Sequence, residues 1–276
     1  MPETGKDPAL IEAVIAARRV ALEADTDWRA AVAAAAAGGW TQEEIGKPVG
    51  LTKQRIGQML RHAPTGGRLL LAPDPAPALV CVIERVEKEK GHPAITASTM
   101  KAADRLIDLA GSFGLEMDRQ TIPVGGLDLN LNRPNLVVMF GPRSSPLLAM
   151  AISAEPVIGW RADEHGDWYI TDSKTGAEYH SQFDRSVDPD VPWPRLCYAH
   201  IGRIRRPDWN GSWLCLAGAH APGVAGATEY LCREIGGLWD QARQALWSAV
   251  VEVTVDQDGT ILGVELATPV YVHGNR

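Results

Sequence analysis

Two short apolar runs, each followed at once by a glycine-bearing loop and a helical pattern, constrain this chain more than any other feature. Residues 135–140, NLVVMF, are rich in branched side chains and read as a strand covered on both faces. They run into GPRSSP and then LLAMAISAE, a helical stretch. Residues 212–217, SWLCLA, repeat the arrangement, with the loop GAHAPGVAG and then a helix expected to reach about Glu234. Two strand–loop–helix units in a region otherwise patterned as strands predict an α/β domain with a mixed sheet. Further strands are expected from residue 117 onward and at 196–204. A hairpin is expected over 167–179, and a closing one from 249–255 and 261–266 around DQDG.

The two glycine loops also carry the polar residues of interest. Arg143, Ser144 and Ser145 sit between a strand and a helix start, where backbone N–H groups attract anions. His220 lies in the second loop, as a candidate base or hydrogen-bonding group. In open α/β sheets ligands bind outside the carboxyl ends of strands. If the two strands are parallel neighbours, Arg143 and His220 face one cleft. The alternative is that glycine, proline and serine only satisfy turns and caps, and that the histidine is a structural hydrogen-bonder. The G-x-x-x-x-G-K-[ST] and G-x-G-x-x-G signatures are absent, as are H-E-x-x-H and G-x-S-x-G. No metal ligands, no cofactor and no catalytic residue are therefore assigned.

Ahead of this region, residues 79–90 are expected to be helical, with Glu84 and Lys88 spaced as an i, i+4 pair. Ser98 is expected to cap a helix running to about Phe113, with Met100, Ala103, Leu106, Ile107 and Ala110 inward. Whether 79–113 belongs to the α/β domain or to an interface is open at this stage. Residues 63–78 hold four prolines and two glycines and read as a linker. Before it, 8–24 and 27–39 suit helices, with Trp28 and Trp40 bracketing the second and packing a small bundle.

Residues 42–60, QEEIGKPVGLTKQRIGQML, fill the positions that a helix-turn-helix requires. Gly46 is the small residue where two helices cross, and Gly50 is the turn glycine. Ile45, Ile56 and Met59 are the buried positions, and Thr52 is an N-cap. Pro48 lacks an N–H, so the first helix should end early. The stretch resembles the helix-turn-helix of bacterial transcription regulators, above all the promoter-reading C-terminal region of sigma factors. On the second helix Lys53, Gln54, Arg55, Gln58 and Arg61 leave the apolar stripe. Arg and Gln side chains can pair with base edges, while Lys and Thr hold phosphates. Thr52 and those five residues are therefore the candidate contacts to double-stranded DNA.

Charge agrees with a local rather than global nucleic-acid surface. The chain carries a net −7, yet residues 1–66 hold eight basic and eight acidic residues. From residue 47 to 61 there are four basic residues and no acidic one. The four cysteines form no C-x-x-C pair and read as buried thiols. The N-terminus lacks a secretion signal, and no apolar run is long enough to span a bilayer, so a cytoplasmic protein with no membrane partner is expected. The expected organisation is multi-domain. An all-α helix-turn-helix headpiece occupies 1–62, a linker 63–78, and an α/β effector or oligomerisation domain 79–276. The expected function is a sequence-specific DNA-binding transcriptional regulator with a C-terminal ligand-sensing or oligomerisation domain, with a homodimer as the expected assembly and an anionic small molecule as the candidate effector. The rivals are an enzyme acting on a nucleotide-like or other anionic small molecule, and a non-catalytic partner-binding module.

Overall fold

The computed structural model describes residues 28, 32, 35, 40–62, 64–86, 92–125, 128–153, 155–184, 187 and 190–274. The chain divides into two compact units, Met1–Pro64 and Thr65–Arg276.

In the first unit Trp28, Val32 and Ala35 are helical and Val32 is buried. The remainder of the helices expected over 8–24 and 27–39 lies outside the described residues. Helix α1, Gln42–Gly46, opens with a capping box. The Thr41 hydroxyl accepts from the Glu44 N–H at 3.3 Å, and the Glu44 carboxylate accepts from the Thr41 N–H at 2.8 Å. Pro48 lies in the 3-10 turn Lys47–Val49, which cuts α1 to five residues. The turn closes at Gly50, whose φ of 69° suits glycine. Helix α2, Lys53–His62, follows. Its start is capped by Thr52, which accepts from the Arg55 N–H at 3.2 Å. The crossing is tight because Gly46 has no side chain. A methyl group there would meet the Leu51 carbonyl oxygen at 2.4 Å. Ile56 is fully buried behind it. Trp40, expected to pack the bundle, is instead 60% exposed. The side chains of 58–62, including Gln58, Met59 and Arg61, lie outside the described residues.

Two corrections come at the start of the second unit. The segment read as a linker contains helix α3, Pro64–Leu71. Proline is tolerated at the first helical position, where the N–H it lacks would have had no partner within the helix. Gly66 and Gly67 lie within this helix, and aromatic rings packed directly on their backbone leave no room for a side chain. A methyl at either would fall 2.4 Å from Trp239 or 2.5 Å from Phe113. The expected helix over 79–90 is instead a strand, β1, Ala78–Ile83, buried along its whole length. An uninterrupted apolar run does not carry the period that separates strand from helix, and burial on both faces selects the branched ALVCVI as a strand.

Among the described residues the main sheet has eight strands, in the order β12 (Ile261–Leu266), β11 (Leu246–Val255), β9 (Arg195–Arg205), β10 (Ser212–Gly218), β5 (Leu136–Phe140), β1, β4 (Met117–Ile122), with β13 (Tyr271–Gly274) also on β11. Four form its parallel half: β10, β5, β1 and β4. The other half is antiparallel: β9, β11, β12 and β13. The second unit is thus an α/β domain with a mixed sheet. A two-strand ribbon, β2 (Arg85–Val86) with β3 (Pro93–Ala94), follows β1.

Alternation along the strands splits the core in two. Val80, Val82, Val137 and Met139 face helices α4 (Ala97–Ser112) and α6 (Ala221–Ala242). Leu79, Cys81, Leu136 and Val138 face helix α5 (Pro146–Ser153) and a three-stranded sheet of β6 (Ile158–Ala162), β7 (Trp168–Asp172) and β8 (Glu178–Tyr179). Residues 97–112 therefore cover this sheet, and α4 is capped by Thr96 rather than Ser98. Helix α6 starts at Ala221 and runs past Glu234 to Ala242, so most of the expected glycine loop is helix. All four cysteines are buried and unpaired. Burial pushes the thiols of Cys81, Cys197 and Cys232 up to about 11, 12 and 12. These cysteines are packing groups, far from the thiolate that nucleophilic chemistry needs. Among the described residues no helix is long and apolar enough to cross a membrane.

Glycines within α6 separate packing from propensity. A methyl on Gly226 would lie 2.4 Å from the buried Val253, whereas one on Gly237 meets nothing nearer than 3.9 Å. Overpacking costs about 1–3 kcal/mol, while helix propensity favours alanine over glycine by about 1 kcal/mol. Denaturant titration should find Gly226→Ala destabilised and Gly237→Ala stabilised. Equal shifts in both would refute the tight seat of α6 on the sheet.

Candidate functional site

The chain leaves β1, covers one side through α4, forms β4, and then returns to the opposite side of β1 as β5. That reversal of winding opens a crevice between the carboxyl ends of β1 and β5, the usual ligand position in a doubly wound sheet. A cavity of about 600 Å³ occupies it. Ile83 at the end of β1, Phe140 at the end of β5, Gly141 after it, and Gly218 of β10 line one side. Because β5 and β10 are parallel neighbours, Arg143 and His220 line the same cavity.

Close backbone packing, more than any ligand, explains the glycines at these strand ends. A methyl on Gly141 would lie 2.9 Å from the Gly218 carbonyl oxygen, and one on Gly218 would lie 2.8 Å from the Val224 nitrogen. The start of α6 is thereby pressed against the end of β10, with His220 as its N-cap residue. Thr96, the N-cap of α4, lines the cavity too. Two helix starts thus border the space with their partly positive ends.

Each cationic or basic side chain predicted for the site is held by a carboxylate that the sequence did not disclose. Arg143 Nη2 donates to Asp167 Oδ1, and the Asp167 side chain is only 2% exposed. His220 Nε2 lies 2.7 Å from Asp184 Oδ1, whose side chain is equally buried. Asp184 also accepts from the Ser181 N–H at 3.0 Å. Asp167 comes from the turn ahead of β7 and Asp184 from the loop ahead of β9. Neither neighbourhood carries a motif, and only the fold closes the distance. Phe183, beside Asp184, adds an aromatic wall, its ring 5.9 Å from that of His220. Ser144 lines the cavity, but Ser145 does not and is corrected. Its buried hydroxyl donates to the Gly125 carbonyl and accepts from the Leu148 N–H, which caps α5.

The candidate DNA contacts occupy the other unit. Thr52, Lys53, Gln54 and Arg55 are all exposed. Thr52 has its oxygen in the cap of α2, leaving its proton as the group able to meet a phosphate. No acidic residue stands in the first turn of α2.

A second polar cluster lies inside the α/β unit. Glu155 accepts from Ser248 Oγ at 3.2 Å, contacts His273 Nε2 at 2.5 Å, and accepts the N–H groups of Val157 and Ile158. Burial alone would raise the Glu155 carboxyl. His273, His200 and the Ile158 N–H outweigh it and hold the group below its usual range. His200 is fully buried, and neither ring nitrogen has a hydrogen-bond partner among the described residues. Burial drives it down to about 4, against the pull of Glu155 and with the push of His273. Among the described residues no group of three or more His, Cys, Asp or Glu is placed to hold a metal ion. This cluster stitches β9, β11 and β13 to the end of α5.

His200 stays neutral when folded down to about pH 4, while the unfolded chain takes up its proton near the ordinary 6.5. Stability is therefore full above about pH 6.5 and drains as pH falls toward 4, by about 3 kcal/mol for this group. Denaturation at pH 7 and 4.5 should show that loss in the wild type and a smaller one in His200→Leu. For the cavity, Arg143→Met removes the ion-pair partner in front of the buried Asp167 and should cost about 1–3 kcal/mol. The double variant with Asp167→Asn should regain most of it, and additive losses would show that the pair is not coupled.

No protein-family model, no curated protein and no solved structure matches the chain, so the chemistry of the cavity is read from its own residues.

Proposed function

We propose that this chain is a sequence-specific, DNA-binding transcriptional regulator of the cytoplasm. In this reading residues 1–62 form an independent all-α headpiece that docks α2 in the major groove of double-stranded DNA. The α/β unit then holds an anionic small-molecule effector in the cavity between β1 and β5. The observation that carries the DNA reading is the close packing at Gly46. The glycine lets α1 brace α2 at van der Waals contact, while Lys53, Gln54 and Arg55 stay exposed. Such bracing is what a recognition helix needs to enter a groove without deforming. One small headpiece contacts few base pairs, so tight specific binding calls for two copies related by a two-fold axis.

A second reading, an enzyme acting on an anionic small molecule, is favoured by one feature. The carboxylate–imidazole pair of Asp184 and His220 has the geometry of an oriented base at a cavity wall.

Duplexes enriched from a random pool should bind the full chain as a dimer in gel-shift titration. Arg55→Ala should erase discrimination between enriched and scrambled duplexes. Lys53→Ala should weaken both alike and lower the salt slope by about one unit. Failure to enrich any sequence, or unchanged binding by both variants, would remove the DNA reading.

A further inference from the structure

The cavity presents two different polar demands, fixed in place from behind. Asp184 lies 2.7 Å from His220 Nε2, which places the proton of the neutral ring on that nitrogen. Nδ1 then carries a lone pair and is the nitrogen left for a ligand, so it asks for a hydroxyl or N–H donor. Arg143 keeps further N–H donors beyond the one given to Asp167, and these ask for an acceptor anion. Beside His220, Phe183 offers an aromatic surface, itself backed by Trp193 at 5.7 Å. Ile83, Ile95 and Val124 supply an apolar lining that a free inorganic anion would leave wet.

We propose that the occupant is a nucleoside monophosphate, an inference that rests on reading the cavity as a small-molecule site. The phosphate meets Arg143, with the Ser144 hydroxyl beside it. The ribose hydroxyls donate to His220 Nδ1, and the base lies against Phe183. Size and charge both select this class. About 600 Å³ suits one ligand of modest size rather than a dinucleotide. Two cations, Arg85 and Arg143, stand against the carboxylates of Asp167 and, behind His220, Asp184. So modest a positive supply can serve one phosphate and disfavours the accumulated charge of a triphosphate. Asp167 and Asp184 are accordingly positioning residues, each setting the orientation of the side chain in front of it.

Isothermal titration of the full chain with AMP, GMP, CMP and UMP tests the assignment, with adenosine, inorganic phosphate and citrate as comparisons. At least one monophosphate should bind, and inorganic phosphate and the matching nucleoside should each bind at least about tenfold more weakly, the value of one charge-assisted hydrogen bond. The charge-neutral double variant Arg143→Gln/Asp167→Asn should weaken the nucleotide by about tenfold or more and leave the nucleoside unchanged. His220→Phe should weaken nucleotide and nucleoside together, and circular dichroism of each variant should report an intact fold. Equal nucleotide affinity in the double variant would overturn the phosphate seat. Binding of citrate, abolished by the same variants, with no monophosphate bound would overturn the ligand class while leaving the cavity a ligand site. If neither these probes nor a broad metabolite panel raises the melting temperature, the small-molecule reading fails with it.

Discussion

The α/β unit depends on the complete burial of β1. Six consecutive residues, Ala78 to Ile83, are shielded from water on both faces, so their backbone groups can be satisfied only by strands on either side. That requirement places β4 and β5 in parallel register against β1. Because the chain reaches β4 first and then crosses to β5, the winding reverses beside β1. The cavity between the two strand ends is a geometric consequence of that reversal. Its polar equipment arrives on loops that the same sheet aligns.

Much of this was legible where sequence carries a local signal. The strands at Leu136–Phe140 and Ser212–Gly218, the hairpins, and the inward face of α4 all follow from periodicity and branching. The mixed sheet follows from two strand–loop–helix units. Reading failed where tertiary packing overrode local preference. Proline and glycine in PTGGRLLL signal a break, yet rings from Trp239 and Phe113 require bare backbone there, and the segment is helical. Gly223 and Gly226 mislead in the same way. A methyl on Gly223 would lie 2.9 Å from the Tyr198 carbonyl oxygen. A glycine needed for close approach and a glycine needed for a turn look alike in one sequence.

The candidate site was legible only in its outward half. Arg143 and His220 stand after buried strands and could be named from position. Asp167 and Asp184 could not, because their pairing with those residues spans 24 and 36 positions. An ionised carboxylate removed from water is costly unless it is paired. Two such carboxylates, each spent on a side chain that lines one cavity, are therefore informative about that cavity. The contrast with Glu155 helps. Its partners Ser248 and His273 join strands deep within the unit, and that arrangement is explained by cohesion alone.

The Arg143–Asp167 pair also determines how the cavity looks from a distance. A lone guanidinium would project a monopole field reaching about a Debye length, roughly 8 Å at physiological salt. A guanidinium joined to a buried carboxylate is a dipole, whose potential decays faster, so an approaching anion feels it only near contact. An anionic occupant of the kind proposed would be captured by unsteered diffusion, at rates that change little with ionic strength, while its bound state kept directed hydrogen bonds. The basic start of α2 is exposed to water, and its attraction for a polyanion is open to screening. Salt concentration therefore acts as a separator between the two surfaces of this chain, dimming one and sparing the other.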